Sequence, residues 1–556
     1  MLRPMTPSLL TRALKLALNF LSGTLDPRIT FTRPDATSCA TYFGSDGRSA
    51  VAAANVARFD YDPSTPAGTT GVAILQTPFG VPTGGYNNTI TAQTATSFTS
   101  TGNTTTNRVY ANTTATVPGN TYLFTGVMAA ESGGGVVNIY ARAGSLGAGN
   151  TITSTTISTG VPFTFYWTAQ TTQDSILFVS SANGATYTVN NLAISEVVFT
   201  PKGLLLEESR TNLLKYCADA TQTSVWTAGN INTAANALLS PDGSTDASSL
   251  TGSSSTSNNK QVGQAHSTST TGTYTVSVYA KAGTQSAVLL RTNDNSGSNG
   301  CHQSFNLTTG ALTGGVGLEG TATSGTSSIT GVGNGWYRLS VTCTFVSALT
   351  NVQLCLWFDG YGASTSTGTF YVWNAQLEVG AFATSPIATT TATVTRAADS
   401  ALMTGTNFSS WFNASQGSFV AKWNDFNVGS GSAMGFFSAN DGTSQNKIDV
   451  RSTSTDVIQS YGSSGGAGSW AIGGSVVTPT SPGKAAMSYV TGSQALCVNG
   501  ATVYSATSAT IPAGITQLQI GGLDNNANLY KPNGHLRSLT YYNTALPAAT
   551  LQTLST

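Results

Sequence analysis

The stretch "PKGLLLEESRTNLL", residues 201–214, stands apart from the chain around it. Only 8% of the 556 residues are charged, and Ser, Thr, Gly, Ala and Asn dominate. Yet Lys202, Glu207, Glu208 and Arg210 cluster here around five leucines. On a strand, Leu204 and Leu206 face one side and Leu205 the other, so both faces can be covered. Adjacent Glu207 and Glu208 face opposite sides and cannot act as a pair on one substrate.

Working outward, the rest of the chain reads as short strands separated by turns. "TYTVSVYAKAG" (273–283), "WYRLSVTCTF" (336–345), "NVQLCLWFDG" (351–360) and "GTFYVWNAQLEV" (368–379) alternate apolar and polar residues. A similar set lies earlier, at 120–130, 135–144, 163–170, 175–182 and 189–199. Both sets close on an Asn followed by alternating apolar residues and an acid: "TVNNLAISEVVF" (188–199) and "YVWNAQLEVGAF" (371–382). That spacing indicates a duplicated sandwich rather than a solenoid. The region from about 398 differs. It contains a hairpin signal at Asn499-Gly500 and a short helix after Pro547. Near the N-terminus, Leu10, Ala13, Leu14, Ala17, Leu18 and Leu21 have helical spacing over 9–21, and Gly23 stops the run. The segment is too short to span a bilayer and has no signal-peptide cleavage pattern.

Composition bounds function. Lys plus Arg is 23 and Asp plus Glu is 23. Zero net charge argues against nucleic acid and against anionic lipid, since both need a basic face. Ordinary globular domains carry about a quarter charged residues. A surface wetted by hydroxyls and amides suits fibres, adhesins and lectins. The six cysteines, Cys39, Cys217, Cys301, Cys343, Cys355 and Cys497, form no CxxC pair. They read as small buried hydrophobes, although Cys343 and Cys355 fall on strands that could be neighbours.

"TFTRPDATSCATYFGSDGRSAVAAANVARFDYDP" (30–63) with "GLLLEESRTNLL" (203–214) resembles a module of phage head-spike and tail-fibre proteins. In that family the two pieces are nearly contiguous, whereas here about 140 residues separate Pro63 from Gly203. The resemblance implies a sandwich inserted between them. "NGWYRLSVT" (334–342) and "YVWNAQLEVGAFATSPIAT" (371–389) resemble the family's carbohydrate-binding-module-like jelly roll. "TVTRAADSALMTGTNFSSWFNASQGSFV" (393–420) resembles the entry to its concanavalin- or laminin-G-like domain.

The expected fold is therefore mainly β, an N-terminal amphipathic helix followed by two jelly rolls and a concanavalin-like sandwich. The expected divisions are an anchoring helix at 1–24, a split connecting module at 25–64 plus 200–212, an inserted sandwich at 65–199, a second jelly roll at 213–390 and the terminal sandwich at 391–556. Charge pairing of Glu207 or Glu208 with Arg210 or Arg58 is expected to fix the joint. The resemblance implies a homotrimeric virion-surface appendage. It would be held to capsid or tail proteins through the helix and would engage host surface polysaccharide, without inserting in a membrane.

No catalytic site is legible. His266, His302 and His535 have no ligand at metal spacing, and neither a nucleotide loop nor a nucleophile elbow is present. A glycosidase needs two carboxyls about 5–10 Å apart. Asp60 and Asp62 share a strand face, but their motif is structural in the family it resembles, and Asp425 and Asp524 are scattered candidates. The expectation is a protein without enzymatic activity, and a capsule-degrading spike is the alternative. A tail fibre or baseplate receptor-binding protein, and a secreted adhesin, are the others. Sugar sites need flat aromatic faces. Trp336 and Trp373 read as core, while Trp357, Asp359 and Tyr361 run off a strand into a Gly-rich loop and are the glycan-binding candidates. Asp359 is also an oxygen donor suited to Ca²⁺, the one cofactor left open.

Overall fold

A computed structural model describes residues 5–35, 37, 39–69, 79, 88–102, 106–113, 116–133, 136–144, 150–360, 362–427, 433–476, 481–507, 509–523 and 531–556. The described chain is almost entirely antiparallel β-structure. Three sandwiches each have their own apolar core. The strand alternation seen in the sequence is used directly. Tyr274, Val276, Val278 and Ala280 all enter the core of the second sandwich.

The first sandwich pairs two sheets over a core that includes Phe98, Phe124, Phe165, Phe178 and Tyr187. One sheet runs in the order 151–157, 137–142, 175–183, 106–112. The other sets 162–168 beside 121–132, then 186–206, then 98–102 and 88–91. The second sandwich packs two six-stranded sheets. A disulfide between Cys301 and Cys343 staples them, with Cα atoms 5.5 Å apart. Cys343 thus pairs with Cys301 and not with Cys355, whose side chain points out of the opposite face of its sheet. Cys39, Cys217, Cys355 and Cys497 are free and buried.

The terminal sandwich draws on three distant parts of the chain. Leu14–Asn19 pairs antiparallel with Gly534–Tyr542, Leu18 opposite Leu539. Thr30–Thr32 pairs with Ser400–Thr404 in the facing sheet. Leu204–Leu206, the end of the 21-residue strand Thr186–Leu206, lies between Gly534–Leu536 on one side and Arg58–Phe59 on the other. Leu16, Leu18, Phe20, Ile29, Phe31, Leu204 and Leu206 therefore share one core with Phe419, Trp423, Phe437 and Tyr541.

This differs from the helix expected over 9–21. The helix covers only Pro7–Ala13, and Leu14–Asn19 is a strand. The spacing of its leucines fits a helix stripe. It also puts Leu16 and Leu18 two apart, which suits a strand whose inner face is buried. A vacant sheet edge along 538–542 offers hydrogen bonds as well as burial, and tertiary context decides between the two forms. Of the apolar side chains in that stripe, Leu10, Ala13 and Leu18 pack on the protein's own terminal sandwich, while Leu14 and Ala17 stay exposed. Met5, Leu10 and Ala13 pack with Val420, Ala486, Tyr542 and Leu551.

The hairpin signalled at Asn499-Gly500, which would join two strands over 484–506, is instead part of a three-stranded run. Gly483–Val490 and Ser493–Val498 turn at Thr491-Gly492. Asn499 and Gly500, both at positive φ, sit in the connection to Tyr504–Ala506. The helix after Pro547 spans Ala548–Ser555.

Candidate functional site

The joint between the sandwiches is built around three guanidinium groups and three carboxylates. Arg58 lies at the centre. Its Nη1 is 2.7 Å from Glu207 Oε2 and its Nη2 is 2.5 Å from Asp399 Oδ2. Arg396 reaches the same Glu207 oxygen at 3.0 Å. Arg33 joins Asp399 at 3.3 Å and Asp35 at 2.5 Å. Arg33, Arg58 and Arg396 are 0% exposed. The charges balance three against three, as they must where water is excluded.

Main-chain groups complete the cluster. The Glu207 amide donates to Asp399 Oδ2, and the Asp399 amide donates to the Glu207 carbonyl. The Ser385 amide and hydroxyl both donate to Glu207. Burial alone would raise the Glu207 pKa, but Arg396, Arg58 and Ser385 hold it well below the usual carboxylate range. Glu208 points the other way and accepts from Arg210 Nε at 2.6 Å. The Arg210 guanidinium lies over the Phe382 ring, 4.9 Å from its centroid. The structure thus brings Arg58 to Glu207 and Arg210 to Glu208. Gly203 has φ +123° because the strand crosses the partner backbone there. A Cβ would lie 2.4 Å from the Leu536 carbonyl oxygen.

Above this cluster is a cleft of about 480 Å³ where three bodies meet. The 41–63 segment contributes Tyr42, Tyr61, Asp60 and Asp62. The second sandwich contributes Thr326, Ser328, Thr330, Arg338 and Thr342. The terminal sandwich contributes Asp425, Asn427 and His535. The volume lies within the range of small-molecule sites.

His535 bridges two of these walls. Its Nδ1 is 2.5 Å from Asp425 Oδ1 and its Nε2 is 2.8 Å from Asp60 Oδ2. Two carboxylates, one on each ring nitrogen, favour the doubly protonated imidazolium, which can donate to both. Burial pushes the histidine pKa down, but Asp425 and Asp60 outweigh it and raise it above the ordinary value. Burial would likewise raise Asp425, yet His535 and Lys202, whose Nζ is 2.9 Å away, hold it far below the usual range. Asp62 is lowered as well, its burial outweighed by hydrogen bonds from Ser64 and Thr65.

The expected glycan loop is arranged differently. Trp357 sits on the outer face of its sheet with Leu289 and Cys355, and only 7% of it is exposed. No open indole face is left for a sugar to stack on. Asp359 has φ 59°, and both its oxygens are engaged within the loop, one by the Gln285 amide and one by the Ser364 hydroxyl at 2.5 Å. Tyr361 and Asp524 lie outside the described residues. Trp336 and Trp373 are buried beside Tyr279. Among the described residues no group of three His, Cys, Asp or Glu is placed to hold a metal ion.

Sequence reasoning missed Arg396 and Asp399 as partners of Glu207 and Arg58, Arg33 and Asp35 as the pair that extends the cluster from Asp399, and His535 as partner of Asp60 and Asp425. A signal existed for some of them. Arg33 and Asp35 stand in the segment that resembles the connecting module, and Arg396 and Asp399 stand in "TRAAD" (395–399), a charged island in an uncharged region.

No protein-family profile and no curated protein matches the chain. Solved structures share its sandwich architecture at low identity. The CBM40 module of the Ruminococcus gnavus IT-sialidase, bound to α2,3-sialyllactose, covers 27% of this chain and 88% of its own, at 12% identity and a TM-score of 0.24. The CBM22 tandem of Xyn10C from Paenibacillus barcinonensis covers 62% and 99%, at 12% and 0.20. Domains LG4-5 of the mouse laminin α1 chain cover 54% and 88%, at 9% and 0.19. At such scores these are likenesses of β-sandwich form alone, and no functional argument rests on them.

Two outcomes follow from the joint. Arg58→Met roughly keeps the volume but leaves the buried cluster one positive charge short, with Glu207 sharing only Arg396 and Asp399 only Arg33, and should cost about 3–5 kcal/mol, read from the denaturation midpoint of the terminal sandwich. His535 is raised, so its stabilisation is complete below about pH 6.5 and fades as pH climbs through its folded value. Glu207 and Asp425 are lowered, so theirs is complete above about pH 4.5 and fades on acidification. Melting temperature should therefore peak between those limits, and His535→Gln should flatten the alkaline limb and also weaken the part of the acid limb that Asp425 supplies, because His535 helps to hold Asp425 low.

Proposed function

We propose that this chain is a non-enzymatic, glycan-binding structural protein, displayed on the surface of a tailed phage or phage-like particle as a head spike or fibre. The observation that carries the glycan reading is the interdomain cleft. It is walled by hydroxyls and amides from three bodies, with Tyr42 and Tyr61 supplying aromatic faces and Arg338 a planar donor. Sugars are recognised by such a mixture of planar hydrogen-bonding groups and aromatic rings. The cleft replaces the Trp357–Tyr361 loop as the binding site in this reading, because Trp357 and Asp359 are already occupied by their own neighbours.

The reading is non-enzymatic for a chemical reason. A glycosidase needs one carboxyl kept protonated as general acid. Of the carboxylates that face the cleft, Asp425 and Asp62 are pressed toward the ionised form, which does not suit that role. The virion setting rests on the likeness of segments 30–63 and 203–214 to phage appendage modules, and a homotrimer belongs to the same proposal. Weak sugar sites gain strongly from such multivalency.

Titration calorimetry with extracted bacterial surface polysaccharides tests this. Wild-type protein should bind at least one of them, and Tyr42→Ala should weaken that binding about tenfold with no change in melting temperature. Equal binding by both proteins would remove the site from the cleft. Release of reducing ends would contradict the non-enzymatic reading.

A further inference from the structure

A second polar surface lies on the outer face of the terminal sandwich, away from the cleft. The strand Gln416–Phe426 runs at its centre. On one side Lys422 stands directly opposite Lys484 of Gly483–Val490. On the other it stands opposite Ser538 of Gly534–Tyr542, which in turn faces Asn19 of Leu14–Asn19. The register shifts beside Lys422 and leaves Arg537 as an extra residue on its strand. The result is a shallow groove of about 760 Å³ lined by Lys422, Lys484, Arg537, Asn19, Ser538 and Thr540. The helices Pro7–Ala13 and Ala548–Ser555 cover the neighbouring part of this face through Val420, Ala486 and Tyr542 and leave this row open.

Three cations in one groove are unusual in a chain that is only 8% charged with no net charge. In the buried cluster, by contrast, each guanidinium meets a carboxylate. No Asp or Glu lines this groove among the described residues. Lys484 Nζ donates to an oxygen of Thr556, the last residue of the sequence, at 2.5 Å, which leaves Lys422 and Arg537 as the groove's cations without an anionic neighbour in its lining among the described residues. Like charges placed opposite each other on adjacent strands cost stability. Burial and the charges of Lys484 and Arg537 press the Lys422 ammonium below its ordinary value. An arrangement that weakens the fold when empty is stabilised by an anion that sits among the three cations.

We propose that this groove binds an acidic polysaccharide, gripping its carboxylate or sulfate groups with Lys422, Arg537 and Lys484. The proposal rests on the glycan-binding reading and adds a second site with a defined ligand class. The lining favours a saccharide over a protein partner. Asn19, Ser538 and Thr540 offer hydroxyls and an amide for sugar hydroxyls. The one aromatic residue in the lining, Trp423, is 1% exposed and gives no anchor of the sort protein interfaces use.

The test uses the full chain, immobilised, with four polymers: polygalacturonate, dextran sulfate, neutral dextran and duplex DNA. Polygalacturonate or dextran sulfate should bind, dextran should not bind at this site, and affinity should fall about tenfold or more between low and high salt as the charges are screened. The double variant K422Q/R537Q should lose about tenfold or more in affinity while its melting temperature rises or holds, because a repulsion has been removed. Tyr42→Ala should leave acidic-polymer binding intact. Undiminished binding by K422Q/R537Q would overturn the proposal, as would duplex DNA binding as tightly as the acidic glycans. Binding of neutral glycans in the cleft without binding of either acidic polymer would overturn the groove and leave the glycan reading standing. Binding of no glycan at all would overturn both.

Discussion

Arg58 held between Glu207 and Asp399 is the interaction on which the rest of the architecture depends. The six members of the buried cluster come from four distant stretches of the chain: 33–35, 58, 207 and 396–399. Each is expensive to bury alone and tolerable only with the others. A buried charge cluster of this kind adds little net stability over an apolar one of the same shape, but it tolerates few alternative arrangements. That property is useful in a chain that leaves its terminal sandwich, builds two others and returns. Two of these stretches also meet as strands, joined by a third from the terminal sandwich. Leu204–Leu206 hydrogen-bonds to Arg58–Phe59 on one side and to Gly534–Leu536 on the other, so backbone and charge specify one register together.

The nesting has a mechanical consequence. Thr186–Leu206 is one uninterrupted strand that begins in the first sandwich and ends in the core of the terminal one. No flexible linker lies between them along that strand. The disulfide staples the second sandwich internally, and its outer wall closes the cleft against the 41–63 segment. The cleft exists because the joint holds three bodies at a defined separation, and the His535 bridge from Asp425 to Asp60 crosses the same gap.

Much of this was legible in the sequence, for reasons that depend on range. Alternation is a local property, so strands such as 336–345 and 369–379 could be placed within a residue or so. The opposite orientation of Glu207 and Glu208 follows from strand geometry alone. The pairing of Leu14–Asn19 with Gly534–Tyr542 is not local. A stripe at Leu10, Ala13, Leu14, Ala17 and Leu18 suits a helix in isolation, and nothing nearby signals a vacant sheet edge more than 500 residues away. The site was misjudged for a related reason. Trp357 at the mouth of a Gly-rich loop looks exposed in sequence, but its neighbours in space, Leu289 and Cys355, come from the same sheet face and bury it. His535 has no ligand near it in sequence, because its partners are 110 and 475 residues away.

The central claim is that residues 14–32, 204–206 and the terminal sandwich form one cooperative unit locked by the buried charges. Native-state hydrogen exchange measures this directly, through the amides of Leu16, Leu18, Leu204, Leu206, Leu536 and Leu539. The account predicts that all six open with the same free energy and the same denaturant dependence, as one unit does. Exchange of the Leu16 and Leu18 amides, or of Leu204 and Leu206, through a separate opening of much lower free energy than Leu539 would contradict it.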